Sequence, residues 1–412
     1  MSHENAEPGR GVLYTLPSLF SDTLRTREFS QFFREYDGAS FSVRTLDGWS
    51  WSSSVVRVPQ FIVIFSTRHA LDDVIEDASE TTLGRLFLEG GVELRGNILI
   101  LLSVAQYTLR HSEGLSHGLI QTIARMSHEF SRKLIPIHRT SGKHSWHCAP
   151  CPLDLPVSFF EPWLGTFLGH SYCCLADDEE GSEAAQRKSF DRACEWLELE
   201  QGDRLLDVGC GWGSLLIHAA ERYGAYPQGI TSTQMQSVST IERIRRRGLE
   251  RQCSVEQRDL HLQPYRSREF NKIAHLGIFE QVGTADMPEY LLCLKRMLAP
   301  GGLVLLHRLT SSPEGAASMT LLPSDFLSDG ISRELQLAER AGFDLVGLES
   351  IHAEYEQTLR MWIEHLLDPQ LAQSTRVFSN GYRAWMLYLI EVATCLNSGE
   401  ARVHRLLLGR RK

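Results

Sequence analysis

No stretch of this sequence stays apolar for the roughly 20 residues that a bilayer crossing needs. The longest runs, FIVIF and NILILLSV, fall far short. Nothing in the chain is of low complexity. The N-terminal MSHENAEPGRG is polar and acidic, without the apolar core of a signal peptide, so a cytoplasmic protein is the expectation. Excess positive charge is missing too: 42 Lys and Arg stand against 51 Asp and Glu, for a net charge of −9. That balance argues against broad nucleic-acid binding, though it leaves room for a local basic patch at a membrane surface. The nine cysteines are odd in number and irregular in spacing, which fits a reducing compartment and excludes a disulfide framework. One cluster, His144, His147, Cys148 and Cys151 in HSWHCAPCP, could suit zinc or a redox pair. It has no second ligand pair at finger spacing and no preceding thioredoxin-like strand, so a loop with free thiols and no metal is expected.

What the sequence does contain is length and pattern. Its 412 residues exceed one ordinary core and suggest at least two domains. In the first part, SFSVRTLDGWSW alternates around an Asp-Gly turn and predicts a hairpin, and PQFIVIF predicts a buried strand. ALDDVIEDASETTLGRLFLEGG reads as helical up to Gly90 and Gly91, the stretch from Ile98 to Leu134 has helical period, and 136–156 reads as a linker. From about Leu197 strands and helices alternate. Strands are expected at 204–208, 226–230, 252–256, 271–276 and 302–307, with helices at 213–223, 234–248 and 286–297. This alternation predicts an α/β fold, a doubly wound parallel sheet that binds ligands at the carboxyl ends of its strands. Arg243, Arg245, Arg246 and Arg247 fall at a predicted helix end, where they offset the negative pole of the helix dipole rather than mark a nucleic-acid site.

The first of those strand ends carries RLLDVGCGWGS. A dinucleotide fingerprint would be GxGxxG, with an acid about 20 residues further on for the ribose. Here Gly209, Gly211 and Gly213 alternate, Ser214 takes the third-glycine position, and the second strand ends in GITSTQMQ without an acid. Asp207, two residues before the turn, is a poor neighbour for a pyrophosphate but suits an ammonium group. Together these features favour S-adenosylmethionine, which carries an ammonium and a sulfonium.

The segments LLDVGCGWGS, GITSTQMQ, HLGIFEQVG, GGLVLLHRLT and EYEQTLRMW, with the closing GYRAWMLYLIEVATCLNSGEARVHRLLL, resemble the cyclopropane-fatty-acid and mycolic-acid cyclopropane synthases. The resemblance covers nearly the whole chain. LGRLFLEGGVELRGNILILL resembles the small domain of the longer bacterial members, associated with work at lipid membranes. It implies a lipid- or membrane-associated α+β domain at 1–140 and a class I methyltransferase domain at 141–412, whose last strand runs antiparallel. It further implies that Gly209 and Gly211, with Gly213, approach the methionine part of S-adenosylmethionine. Thr231, Ser232 and Gln236 would reach the ribose, Ser171 would belong to the cofactor-covering segment, Leu276 would line the pocket and Asp259 would serve the adenine. In this family methyl transfer to a cis double bond leaves a carbocation, and a bound bicarbonate removes the proton that closes the ring. Glu280, His307 and Tyr355 occupy the positions that hold it, and Leu309 matches the residue whose backbone completes the site.

The sequence also departs from the family. Tyr172 stands at the cysteine position of the bicarbonate site, with Cys173 next to it, and Gln281 follows Glu280 where histidine is usual. Pro152 and Leu153 replace a histidine and a cofactor-covering tyrosine, the segment from Thr310 to Ser332 is short, and Arg85 and Asn97 sit where acids are common. These changes touch the lid and the substrate wall more than the base site. The expectation is cyclopropanation of an unsaturated phospholipid acyl chain, at a peripheral membrane surface and without nucleic acid. Two alternatives stay open: methylation of a small metabolite by the same fold, and a non-catalytic binding protein. Lipid-acting members are often dimers, which leaves a homodimer open here.

Overall fold

The computed structural model describes residues 21–76, 86, 87, 89–97, 100, 104, 155–169, 182–258, 269–277, 282, 285–311, 330–368, 379–397, 399 and 401–411. The expected boundary near 140, most of the helical stretch from Ile98 and nearly all of the 136–156 linker lie outside these residues.

In the N-terminal part, α1 (Asp22–Phe32) precedes β1 (Phe41–Thr45), β2 (Ser50–Ser52), β3 (Phe61–Phe65), α2 (Arg68–Glu76) and β4 (Val92–Gly96). β1 and β2 form the expected antiparallel hairpin, with Gly48 at φ 106° in its turn. β3 then pairs parallel to β1, and β4 closes the sheet in the order β2-β1-β3-β4. β4 is a strand that the sequence pattern does not announce: Gly90, at φ 82°, ends the preceding helical turn, and VELRG pairs along β3. Arg25 anchors α1 to α2 through a buried fork on Asp72, Nε to Oδ1 at 2.6 Å and Nη2 to Oδ2 at 2.5 Å.

The remaining elements are α3 (Val157–Leu164), α4 (Ser182–Trp196), β5 (Arg204–Val208), α5 (Ser214–Tyr223), β6 (Tyr226–Thr231), α6 (Gln234–Arg246), β7 (Ser254–Gln257), β8 (Phe270–His275), α7 (Met287–Met297), β9 (Leu298–Ser311), α8 (Ile331–Arg340), β10 (Phe343–Ser350), α9 (His352–Leu367), α10 (Ser379–Asn397) and β11 (Ala401–Arg410). Seven strands form one sheet in the order β10-β11-β9-β8-β5-β6-β7. β11 alone is antiparallel, running between β9 and β10. This is the doubly wound sheet the alternation predicts, with its last strand reversed.

Side chains alternate across each strand, so every strand serves two cores. Leu303 and Leu305 of β9 with Leu407 of β11 pack under α4 and α5, against Phe190, Cys194, Leu197 and Leu215. Val304 and Leu306, with Leu406 and Leu408, pack on the other face under α7 and α8. A third cluster joins the N-terminal sheet to α3, α9 and α10, and Arg383 of α10 donates to the Phe87 and Val92 carbonyls at 2.5 and 3.0 Å.

Candidate active site

The glycine loop follows β5 directly and is held almost wholly by backbone. The N–H groups of Gly209 and Cys210 both donate to the Ile230 carbonyl of β6, at 3.0 and 2.9 Å. Gly209, Gly211 and Gly213 have φ of 73°, 53° and 77°, a region that favours glycine. Their reasons for being glycine differ. A Cβ on Gly213 would stand 2.4 Å from Thr240 Cγ2, so this glycine lets α6 pack closely. A Cβ on Gly211 would meet nothing within 4 Å. Backbone thus borders open space at Gly211, a cradle that a side chain would fill, and the expected methionine end of S-adenosylmethionine fits there.

Asp207 points from the middle of β5, between Gly229 of β6 and Ala274 of β8. It is buried, and desolvation pushes its carboxyl up to about 7. A cation beside it would restore the charged form. At the end of β6, the Thr231 hydroxyl donates to Gln236 Oε1 at 2.6 Å, which ties the strand end to the first turn of α6 and leaves the Gln236 amide with N–H donors only to offer. Thr233 caps α6 by accepting from the Gln236 N–H, and the neighbouring Ser232 is exposed. The structure therefore gathers Asp207, Gly209, Gly211, Thr231, Ser232 and Gln236 at the carboxyl edge of β5 and β6.

Two residues that the motifs do not point to belong to this edge. Arg243, expected at the helix end, also reaches back to the glycine loop. Its guanidinium donates to the Trp212 carbonyl, to Phe167 O at 3.0 Å and to Thr166 O at 3.3 Å. Burial and the charge of Arg247 lower its pKa to about 10, so it remains a cation. Ser214 Oγ also donates to Phe167 O, at 2.5 Å, while Gln186 accepts from the Gly169 N–H at 2.7 Å. The chain leading to Ser171 is thus tied to the glycine loop by Arg243 and Ser214. Arg243, Arg245 and Arg246 all lie in the last turn of α6, as the dipole reading has it. His275, at the end of β8, is the second addition. Its Nδ1 lies 2.6 Å from the Tyr290 hydroxyl, and its ring would be 3.9 Å from a Cβ on Gly209. An isolated histidine closing the apolar strand IAH was the available signal.

The base-site positions lie one strand further along. His307 and Leu309, two apart on β9, face the α4 side of the sheet, and both are buried. Burial lowers the His307 pKa to about 4, against a hydrogen bond to the Leu276 backbone. His307 is therefore neutral at physiological pH and adjoins the residue expected to line the cofactor pocket. Tyr355 sits in the first turn of α9, fully buried, in the same apolar cluster as Leu309. β11 sets that turn: the Ile351 N–H donates to Val403 O at 3.1 Å, and Val403 pairs with Leu309. Glu280, Ser171, Tyr172, Cys173 and Asp259 lie outside the described residues, as do Pro152, Leu153, Gln281 and the His144–Cys151 cluster. Among the described residues, no three His, Cys, Asp or Glu side chains group as metal ligands, and no helix is long and apolar enough to cross a membrane.

The family model for mycolic acid cyclopropane synthetase matches residues 143–406. The chain belongs to this family. It is 28% identical over 364 residues to a probable fatty acid methyltransferase of Pseudomonas putida, covering 85% of this chain and 87% of the relative. It is 27% identical over 269 residues to the cyclopropane-fatty-acyl-phospholipid synthase of Escherichia coli K12, covering 64% of this chain and 66% of that one. A cyclopropane synthase from Mycobacterium tuberculosis shares the fold with a TM-score of 0.57 at 22% identity, over 64% of this chain and 96% of that structure. The fold is that of the class I methyltransferases, and the family is one of S-adenosylmethionine-dependent methyltransferases.

Proposed function

We propose that the protein methylates the cis double bond of an unsaturated phospholipid acyl chain and closes it to a cyclopropane, with bicarbonate as the base. The observations that support this reading are that His307, Leu309 and Tyr355 are all buried, that His307 on β9, two strands from the glycine loop, bonds to the Leu276 backbone, and that Leu309 and Tyr355 share one apolar cluster. S-adenosylmethionine supplies an electrophilic methyl group when bound.

The chain's own contribution is binding, orientation and exclusion of water. Gly211 leaves space for the methionine end, the Asp207 carboxylate faces its ammonium, and Gln236 donates to the ribose. Neutral His307 and the Tyr355 hydroxyl are hydrogen-bond donors suited to an anion, and the Leu309 backbone completes that site. A weak base suffices for so acidic a carbocation, provided it is positioned and water is kept out. The buried setting of these side chains fits that requirement. We assign Glu280 to the bicarbonate hydroxyl, Ser171 and Asp259 to the cofactor, and Tyr172 and Cys173 to the edge of the base site. Residues 1–140 would serve the lipid surface and 141–412 the chemistry.

One described feature supports a lipid surface as partner. Val55, Val56 and Val58 are 100%, 91% and 85% exposed around Arg57, on the loop between β2 and β3. Ser54 Oγ accepts from the Val56 and Arg57 N–H groups at 3.3 and 3.1 Å, and Ser40 Oγ donates to Val58 O at 2.7 Å. A tip held in this way presents apolar side chains and a cation together, a combination suited to an anionic bilayer.

The test supplies S-adenosylmethionine with a trideuterated methyl group, bicarbonate and unsaturated phospholipid vesicles, and reads acyl-chain mass. Acyl chains that gain two deuterons and lose alkene reactivity are the expected product. Two deuterons with an alkene retained would replace cyclopropanation by a methylene branch, and three deuterons by a methyl branch. Unchanged lipid, with cofactor binding intact, would sink the lipid reading in favour of a small-metabolite substrate. In flotation, V55D/V56D should leave the vesicle fraction that wild type enters.

A further inference from the structure

His307 is one member of a row of polar side chains that crosses three strands. In register, Glu349 of β10 stands opposite Arg405 of β11, and Arg405 stands opposite His307 of β9. Arg405 is 0% exposed. Its Nη1 donates to Glu349 Oε2 at 2.7 Å, and its guanidinium carbon lies 5.2 Å from the ring centroid of Trp196 at the end of α4. Glu349 also binds Arg192 of α4 at 2.7 Å, which fastens the row to the helix above it. The remaining contact points into the candidate site: Arg405 Nε donates to His307 Nε2 across 3.4 Å.

That contact constrains the histidine. A guanidinium has five N–H donors and no acceptor. Burial lowers the pKa of Arg405 only to about 10, so it stays protonated at neutral pH. Facing it, Nε2 has to present its lone pair, and the ring proton has to sit on Nδ1.

We propose that Arg405 is a positioning residue that fixes His307 as the neutral ring protonated on Nδ1, held by Glu349 across the β10–β11–β9 row. Resting on the cyclopropanation reading, this leaves Nδ1–H as the ring's single donor, within reach of the Leu276 backbone, and suppresses formation of an imidazolium beside the anionic base. The Glu349 carboxylate in turn keeps the guanidinium oriented and offsets part of its charge. The arginine acts through His307 and has no direct contact with substrate.

The tautomer can be read without substrate. In protein labelled with 15N-histidine, long-range proton–nitrogen spectra separate a protonated imidazole nitrogen from a bare one, and His307→Gln identifies the signal. Wild type at pH 7 is expected to show His307 neutral with Nδ1 protonated. A ring protonated on Nε2, or on both nitrogens, overturns the proposal with no variant needed. Arg405→Met should release the ring, with Nε2–H appearing, and Arg405→Lys should restore part of the wild-type signal. An unchanged tautomer in folded Arg405→Met also overturns it. In turnover, Arg405→Met is expected to lower kcat at least tenfold while S-adenosylmethionine affinity stays within twofold. An equal fall in both would show a merely structural role. Failure of the lipid assay in wild type would leave the spectra unaffected, so loss of the substrate reading and loss of this one are separable.

Discussion

The two halves of the candidate site are made of different materials. On the cofactor side, from β5 to α6, the working surface is largely backbone. The Gly209 and Cys210 N–H groups bond to β6, Arg243 grips carbonyls, and open space borders Gly211. On the candidate base side, from β9 to β11 and α9, it is made of the buried side chains His307, Tyr355 and Arg405, with half-buried Glu349 pairing the arginine, and it is backed across β9 by the buried Arg308–Glu334 pair. A backbone surface is local and is set by a few glycines. A side-chain surface depends on the register of strands about 100 residues apart, and every charge in it needs a buried partner. The first should therefore be fragile in binding and robust in folding, and the second the reverse.

Gly211→Val tests the first half of that contrast most severely. The side chain would project into the cradle, so S-adenosylmethionine affinity should fall about 100-fold or more in calorimetry. The fold should lose only the strain of a left-handed residue, roughly 1–2 kcal/mol. Gly213→Val should do the opposite first, because its Cβ meets Thr240 Cγ2 at 2.4 Å and must push α6 away. Equal unfolding in both variants would erase the distinction between a binding glycine and a packing glycine.

Arg308→Met tests the other half. Arg308 Nη2 lies 2.8 Å from Glu334 Oε1, with both side chains about 95% buried, and the pair joins β9 to α8. Removing one partner leaves a buried carboxylate uncompensated, for which about 3–5 kcal/mol is usual. Denaturant titration should show that loss with cofactor affinity nearly unchanged. A loss under about 1 kcal/mol would mean the base half is no more dependent on its charges than a surface ion pair would be.

The same difference in materials decided what could be read from sequence. The glycine loop was legible because left-handed backbone after an apolar strand leaves a spacing that glycine alone fills easily. β5, α5, β6 and α6 fall within a residue or two of their expected bounds, though the packing role of Gly213 was not legible. His307, Tyr355 and Leu309 were singled out only through family resemblance; the structure adds that β11 links Leu309 to the start of Tyr355's helix, through the Val403–Leu309 pairing and the Ile351 N–H to Val403 O bond. Arg405 was missed because its partners lie on other strands, although an arginine within the apolar strand ARVHRLLLGR is itself a signal of a buried partner. Arg243 does lie in the last turn of α6, and its further role was not legible because its carbonyl partners, Trp212 and Phe167, are 31 and 76 residues away. β4 escaped because five residues bounded by glycines carry little periodicity, and its pairing with β3 supplies the order.

Asp207 is an acidic side chain on the otherwise largely backbone-built cofactor side, and the effect of changing it should be the smallest and the most dependent on pH. Burial raises its carboxyl from the ordinary value near 4 to about 7. An ammonium ligand needs the carboxylate, so affinity for S-adenosylmethionine should climb as pH rises through about 7. It should decline above about 8, where an α-amino group loses its own proton. Asp207→Asn should lower affinity about tenfold at pH 7.5 and abolish the acid-side climb. The folding sign runs the other way. Because the folded pKa lies above the unfolded one, the native state holds the extra proton between about pH 4 and 7, and stability is lost as pH rises through that window. A carboxyl that moves from near 4 to about 7 on folding caps that loss at about 4 kcal/mol. The ligand-free Asp207→Asn variant should therefore melt higher than wild type above pH 7, with the gap closing toward pH 4. A melting gap that does not change with pH would show that Asp207 already has a cationic or hydrogen-bonded partner in the free protein, and the cofactor side would then share the design of the base side.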